Sequence, residues 1–137
     1  MRAADVRLGA TPGKGPCLSR ELLIAVVDDD ESFRTALVES LGSRGYEAQG
    51  FASAEEFIAT GAFWSCVVTD VHMPGMGGFD LSRRLTAQSA RVPVVMITAR
   101  SEVALDAHAA ASGAICLLRK PFEVDALIDC LQRALAV

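Results

Sequence analysis

Short apolar runs and helical patterns alternate along the chain from Leu22 onward. The apolar runs cover 22–27, 66–69, 92–98 and 115–118, with a weaker one at 46–51. They do not alternate apolar with polar, as expected of strands buried on both faces of a parallel sheet. Between them, Phe33, Ala36, Leu37 and Leu41 recur at helical spacing, as do Val124, Leu127, Ile128, Leu131 and Leu135. Ser53-Ala54-Glu55-Glu56 fits a capping box and opens a helix at about residue 54. The spacing predicts two further helices over 78–88 and 101–111, the second supported by its alanine content more than by apolar packing. Gly113 fits as its C-terminal stop. Five βα units in series imply an open α/β fold with helices covering both faces of the sheet. Residues 1–20 carry no such period and are rich in glycine and proline. They read as a flexible extension, leaving 21–137 as the folded domain.

Composition narrows the class. With 137 residues the chain suits one domain, and 51% apolar with 22% charged residues is ordinary for a soluble globular protein. A net charge of −4 disfavours a nucleic-acid-binding surface. No apolar run approaches a membrane span of about 20 residues, and the first residues are not a secretory signal, so no membrane association and a cytoplasmic location are expected. The four cysteines, Cys17, Cys66, Cys116 and Cys130, form no zinc-like spacing. Cys66 and Cys116 lie in apolar runs and read as small hydrophobes, whereas Cys17 reads as exposed.

Polar groups collect where the strands end. The first strand runs into Asp28-Asp29-Asp30, the third into Asp70, the fourth into Thr98, and the fifth into Arg119-Lys120-Pro121. Sites in open α/β sheets form at the carboxyl ends of the strands. Asp28, Asp29 and Asp70 together would repel one another, and a divalent cation such as Mg2+ relieves this. A carboxylate beside such a cation can act as a nucleophile toward a phosphoryl group. Lys120 would supply a positive charge, and Thr98 a hydroxyl for a phosphate oxygen. Taken one at a time the residues have plainer readings. Asp28–Asp30 can cap a helix, Asp70 can open a turn, Thr98 can end a strand, and Lys120 can be a solvated side chain.

The residues from about 22 to 136 resemble the receiver domain of response regulators in two-component signalling, and are similar to the chemotaxis and nitrogen-fixation regulators. The motifs that carry the resemblance are Val26-Val27-Asp28-Asp29-Asp30, Thr69-Asp70-Val71-His72-Met73-Pro74-Gly75-Met76-Gly77-Gly78, Ile97-Thr98-Ala99 and Lys120-Pro121-Phe122. The resemblance implies a doubly wound five-stranded parallel sheet of order 2-1-3-4-5 flanked by five helices, the flavodoxin-like receiver type. It implies that Asp70 is the phosphoacceptor, with Asp28, Asp29, Asp70 and the backbone carbonyl of His72 as Mg2+ ligands. Thr98 would be the switch hydroxyl and Lys120 the lysine that contacts the phosphoryl group. Leu117 stands where the family usually has an aromatic switch residue, which alters the expected threonine–aromatic coupling. His72 and Arg100 occupy the positions that modulate phosphate lifetime, and their bulk suggests a long-lived phosphate. His108, on the fourth helix, is expected at the surface.

Phosphoryl donors would be a sensor histidine kinase or a histidine phosphotransfer protein. Phosphorylation would act through the fourth helix, fifth strand and fifth helix, with homodimer formation as one outcome. The fifth helix reaches the last residues, so an output domain is not expected within this chain. Three other functions compete. A dehalogenase-type phosphohydrolase could use Asp28 and Asp30 as a DxD pair, but leaves Asp70, Thr98 and Lys120 without roles and would need a cap domain. A pseudo-receiver would lack part of the acidic set or the lysine. Flavin binding on the same fold would need a phosphate-cradling loop after the first strand.

Overall fold

The computed structural model describes residues 22–61, 64–87 and 92–135. The expected extension at 1–20, with Cys17, lies outside the described residues. Among the described residues five strands and five helices alternate: β1 (Leu23–Val27), α1 (Glu31–Ser43), β2 (Glu47–Phe51), α2 (Ala54–Ala59), β3 (Cys66–Asp70), α3 (Gly78–Thr86), β4 (Val94–Thr98), α4 (Ala104–Ala111), β5 (Cys116–Arg119) and α5 (Val124–Leu135). The strands form one parallel sheet in the order β2-β1-β3-β4-β5. This is the doubly wound, flavodoxin-like order that the motifs implied.

That order explains the strength of each apolar run. β3 and β4 are buried at every position and β1 at all but its first, because each has neighbours on both sides and helices on both faces. β2 and β5 are the edges. Glu47 and Gln49 of β2 face solvent, which is why its apolar run was the weakest. Side chains alternate between two cores, as strand geometry requires. Ala25, Val27, Val67, Val94 and Met96 face one side, with Phe57, Leu81, Leu85 and Ala109 from α2, α3 and α4. Ile24, Val26, Cys66, Val68, Val95 and Ile97 face the other, with Leu37 and Leu41 of α1 and Leu127, Cys130 and Leu131 of α5. An aromatic trio closes the first core near the start of β3. There the Trp64 ring meets Phe51 edge-on at 5.5 Å and lies 6.0 Å from Phe57.

Helix ends follow local chemistry. The Asp30 carboxylate accepts from the Phe33 N–H and caps α1, and the Ser53 hydroxyl accepts from the Glu56 N–H and caps α2. Glu56 answers by accepting from the Ala52 N–H, one residue outside the expected box. α4 begins at Ala104, three residues later than its composition suggested. Its cap position is Val103, which has no side-chain acceptor, so 101–103 remain outside the helix. β4 begins at Val94, after Pro93, whose carbonyl accepts from the Val67 N–H but which has no N–H of its own. Gly113 ends α4 at φ +97°, a conformation L side chains rarely adopt. None of the described helices is long and apolar enough to cross a membrane.

Candidate functional site

Chain direction brings the polar groups together. All five strands run the same way, so the residues after β1, β3, β4 and β5 share one edge of the sheet. At that edge Asp28, Asp29 and Asp70 each offer a carboxylate oxygen, and the three lie within 4.8 Å of one another. Asp28 is fully buried and Asp70 nearly so, while Asp29 is exposed. Lys120 enters from the end of β5. Its ammonium lies 3.0 Å from Asp28 Oδ2 and 3.8 Å from Asp70 Oδ1. Three carboxylates against one ammonium leave excess negative charge on hard oxygen donors, a set that could bind a divalent cation.

The electrostatics agree. The Asp70 carboxyl is pushed up to about 6, chiefly by burial and then by the charge of Asp28, with Lys120 pulling the other way. Each carboxylate is held by its surroundings. Asp28 Oδ1 accepts from the Asp30 N–H at 2.9 Å, and the Arg34 guanidinium donates to the Asp28 carbonyl at 2.7 Å. Asp70 is the last residue of β3, and the next N–H, of Val71, bonds the Ile97 carbonyl of β4. Asp30 does not join the cluster, because its carboxylate is occupied at the α1 cap. A DxD pair built on Asp28 and Asp30 therefore loses its second member.

The remaining predicted residues are placed as follows. Thr98 is fully buried at the end of β4, and its hydroxyl accepts from the Arg100 N–H at 3.0 Å. His72 is exposed in the turn two residues past Asp70. Arg100 is exposed, and its guanidinium lies 3.8 Å from Glu102. Leu117 is half-buried against the core on the α3–α4 side, paired in register with Met96. His108 is exposed on α4, its ring meeting Phe79 edge-on at 5.5 Å.

Several contributing residues had no signal in the sequence. Phe33 holds its ring 4.1 Å from the Lys120 ammonium and packs edge-on against Phe122 at 6.1 Å, so it flanks the lysine on its apolar side. Glu55 of α2 accepts from the Met76 N–H and pins the turn after Asp70. Gly78 lets the start of α3 touch that turn, since a Cβ there would stand 2.5 Å from the Asp70 carbonyl oxygen. Phe33 and Glu55 sit at ordinary helix positions that any side chain can occupy, and Gly78 stood only within a motif that carried the resemblance.

Comparison with known proteins agrees with this geometry. The family model for the response regulator receiver domain matches residues 24–132. The chain is 37% identical over 114 residues to the transcriptional regulatory protein FixJ of Bradyrhizobium diazoefficiens, covering 82% of this chain and 56% of that protein. It is 38% identical over 116 residues to the C4-dicarboxylate transport transcriptional regulatory protein DctD of Pseudomonas aeruginosa, covering 83% of this chain and 25% of that one. The chain thus spans about half or less of these two curated relatives. Among solved structures, FixJ-N superposes with a TM-score of 0.78 at 31% identity, covering 85% of this chain and 95% of that one. The chemotaxis response regulator CheY4 of Vibrio cholerae superposes with a TM-score of 0.74 at 30% identity, covering 84% and 99%. With fold, edge chemistry and relatives in agreement, the chain belongs to the response regulator receiver domain family of two-component systems.

Proposed function

We propose that this domain, residues 21–137, accepts a phosphoryl group on Asp70 from a sensor histidine kinase or a histidine phosphotransfer protein. The observation that carries the reading is the Asp28, Asp29 and Asp70 cluster with Lys120 reaching two of its members. The family is a signalling domain rather than a conventional enzyme, and receiver domains of response regulators are phosphorylated by sensor kinases. One oxygen of the Asp70 carboxylate attacks phosphorus, the donor's P–N bond breaks, and an acyl phosphate forms. Asp70 is mostly ionised at neutral pH despite its raised pKa, so the nucleophile is available.

Asp28, Asp29, Asp70 and the His72 backbone carbonyl would hold Mg2+, and the three carboxylates already share one small volume. Bound there, the ion would neutralise charge on the incoming phosphoryl oxygens. Lys120 is near enough to Asp70 to pass from carboxylate to phosphoryl oxygen with a small movement of its side chain. The Thr98 hydroxyl, at the end of the neighbouring strand, would turn from the Arg100 N–H to donate to the phosphoryl group. Leu117, one strand further out, would respond through packing rather than through a hydroxyl.

The output would run through the α4, β5 and α5 face, changing partner binding or self-association. Arg119 of β5 supports a coupled face, because its guanidinium bonds Asp106 of α4 and the Glu102 carbonyl before it. Incubation with acetyl phosphate and Mg2+, followed by intact mass, tests the proposal. One phosphoryl adduct is expected, absent in Asp70→Asn and without Mg2+. No adduct on the unaltered chain would overturn it.

A further inference from the structure

The peptide that joins Asp28 to Asp29 is pinned from outside the acidic cluster. β1 pairs with β2 as far as Val27 opposite Phe51, and one residue later the Asp28 N–H donates to the Phe51 carbonyl at 3.0 Å. The Asp28 carbonyl lies past the end of that ladder, where a backbone acceptor needs a donor from elsewhere. Arg34, at the end of the first turn of α1, supplies it, its guanidinium donating to this carbonyl at 2.7 Å. The half-buried Arg34 side chain reaches the carbonyl by crossing the edge strand β2 at Gly50. A Cβ at Gly50 would stand 2.8 Å from Arg34 Cγ and 3.0 Å from Cδ. Only a residue without a side chain leaves the arginine stem its path, and any displacement of that stem carries the guanidinium away from Asp28.

We infer that Arg34 is a positioning residue for the divalent cation and that Gly50 is the track it needs, an inference that rests on the Mg2+ reading of the acidic cluster given above. A peptide is planar, so a guanidinium on the Asp28 carbonyl fixes the plane from which both Asp28 and Asp29 leave the chain. The Asp28 carboxylate is already held, Oδ1 by the Asp30 N–H and Oδ2 by the Lys120 ammonium. Arg34 adds the remaining constraint, on how the exposed Asp29 is set relative to its buried neighbour. Removing a group that orients metal ligands in this way weakens metal binding by roughly 10–100-fold. Charge alone gives the opposite sign. A cation beside three carboxylates competes with Mg2+, so an arginine that acted only through its charge would weaken Mg2+ binding, and its loss would tighten it. The direction of the change therefore separates positioning from simple electrostatics.

The test measures Mg2+ binding to the full chain by isothermal titration calorimetry, with no phosphodonor present. Arg34→Met keeps an apolar stem and removes the donor, whereas Gly50→Ala keeps the guanidinium and moves its stem. Each should weaken Mg2+ binding about tenfold. Together they should weaken it little more than either alone, because both break one contact. Arg34→Lys retains a charged donor and should recover part of the loss. Urea midpoints in metal-free buffer check that each variant is folded. Should Gly50→Ala not fold, the comparison of Arg34→Met with Arg34→Lys decides the matter. Unchanged or tighter Mg2+ binding by Arg34→Met would overturn the inference and leave the cation site standing. An unaltered chain that binds no Mg2+ would overturn the reading of the cluster and this inference with it.

Discussion

Lys120 Nζ lies 3.0 Å from Asp28 Oδ2 across 92 positions of sequence, nearer to this fully buried carboxylate than to the proposed phosphoacceptor. Removing the ammonium leaves Asp28 with an uncompensated charge, a situation that costs roughly 3 kcal/mol or more for a buried partner. Lys120→Met should therefore lose about that much stability in urea titrations without Mg2+. Added Mg2+ should restore part of the loss while phosphorylation stays slow. An unchanged midpoint in metal-free buffer would show that the pair does not hold the site together.

Asp70 makes stability depend on pH in a defined direction. Its carboxyl is raised to about 6 in the folded protein, so folding favours the protonated form. That contribution is complete below the unfolded value near 3.8 and is lost as pH rises through about 6. Above this range the ionised, metal-free site destabilises the fold by on the order of 2 kcal/mol. Asp70→Asn removes the charge. Its melting temperature should match the unaltered protein near about pH 4 and exceed it near about pH 7.5. Mg2+ should narrow the gap at the higher pH. A difference that stays flat across this range would rule the explanation out.

Gly78 tests the packing beneath the site. A Cβ there meets the Asp70 carbonyl oxygen at 2.5 Å and Val71 Cα at 3.0 Å, both backbone atoms that cannot turn aside. Gly78→Ala should cost about 1–3 kcal/mol and slow phosphorylation by displacing the end of β3. Gly42→Ala is the matched control. It has open space around it inside α1 and should stabilise by up to about 1 kcal/mol. Equal thermal melts for the two variants would contradict the close contact.

Phosphate lifetime is the fourth measurable quantity. His72 and Arg100 are both exposed beside the edge cluster, and Arg100 leans toward Glu102. If their bulk limits water access, His72→Ala and Arg100→Ala should each shorten the lifetime by up to roughly tenfold, about 1.4 kcal/mol of barrier. Decay followed by intact mass after removal of the phosphodonor decides the matter. Identical decay in all three proteins would remove this role from both residues.

Much of this was legible in the chain itself. Strands such as 66–69 announced themselves because burial on both faces demands unbroken apolar runs, and Asp70 stood out because it ended one. Edge strand β2 was faint because solvent on one side tolerates Glu47 and Gln49. α4 was overextended because alanine carries helix propensity without saying where capping fails. Contacts such as Glu55 with Met76, or Phe33 with Lys120, depend on how helices seat against distant loops. Periodicity describes which face of a helix is apolar, and it does not say which polar residue meets which turn.

The position of Trp64 has a practical consequence. It is the single tryptophan, clasped by Phe51 and Phe57 before β3 begins, and it stands six residues and roughly 20 Å of strand from Asp70. Its fluorescence is thus an optical gauge of whether the apolar interior is assembled, and its ring partner Phe51, whose carbonyl accepts from the Asp28 N–H, ties that interior to the acidic rim.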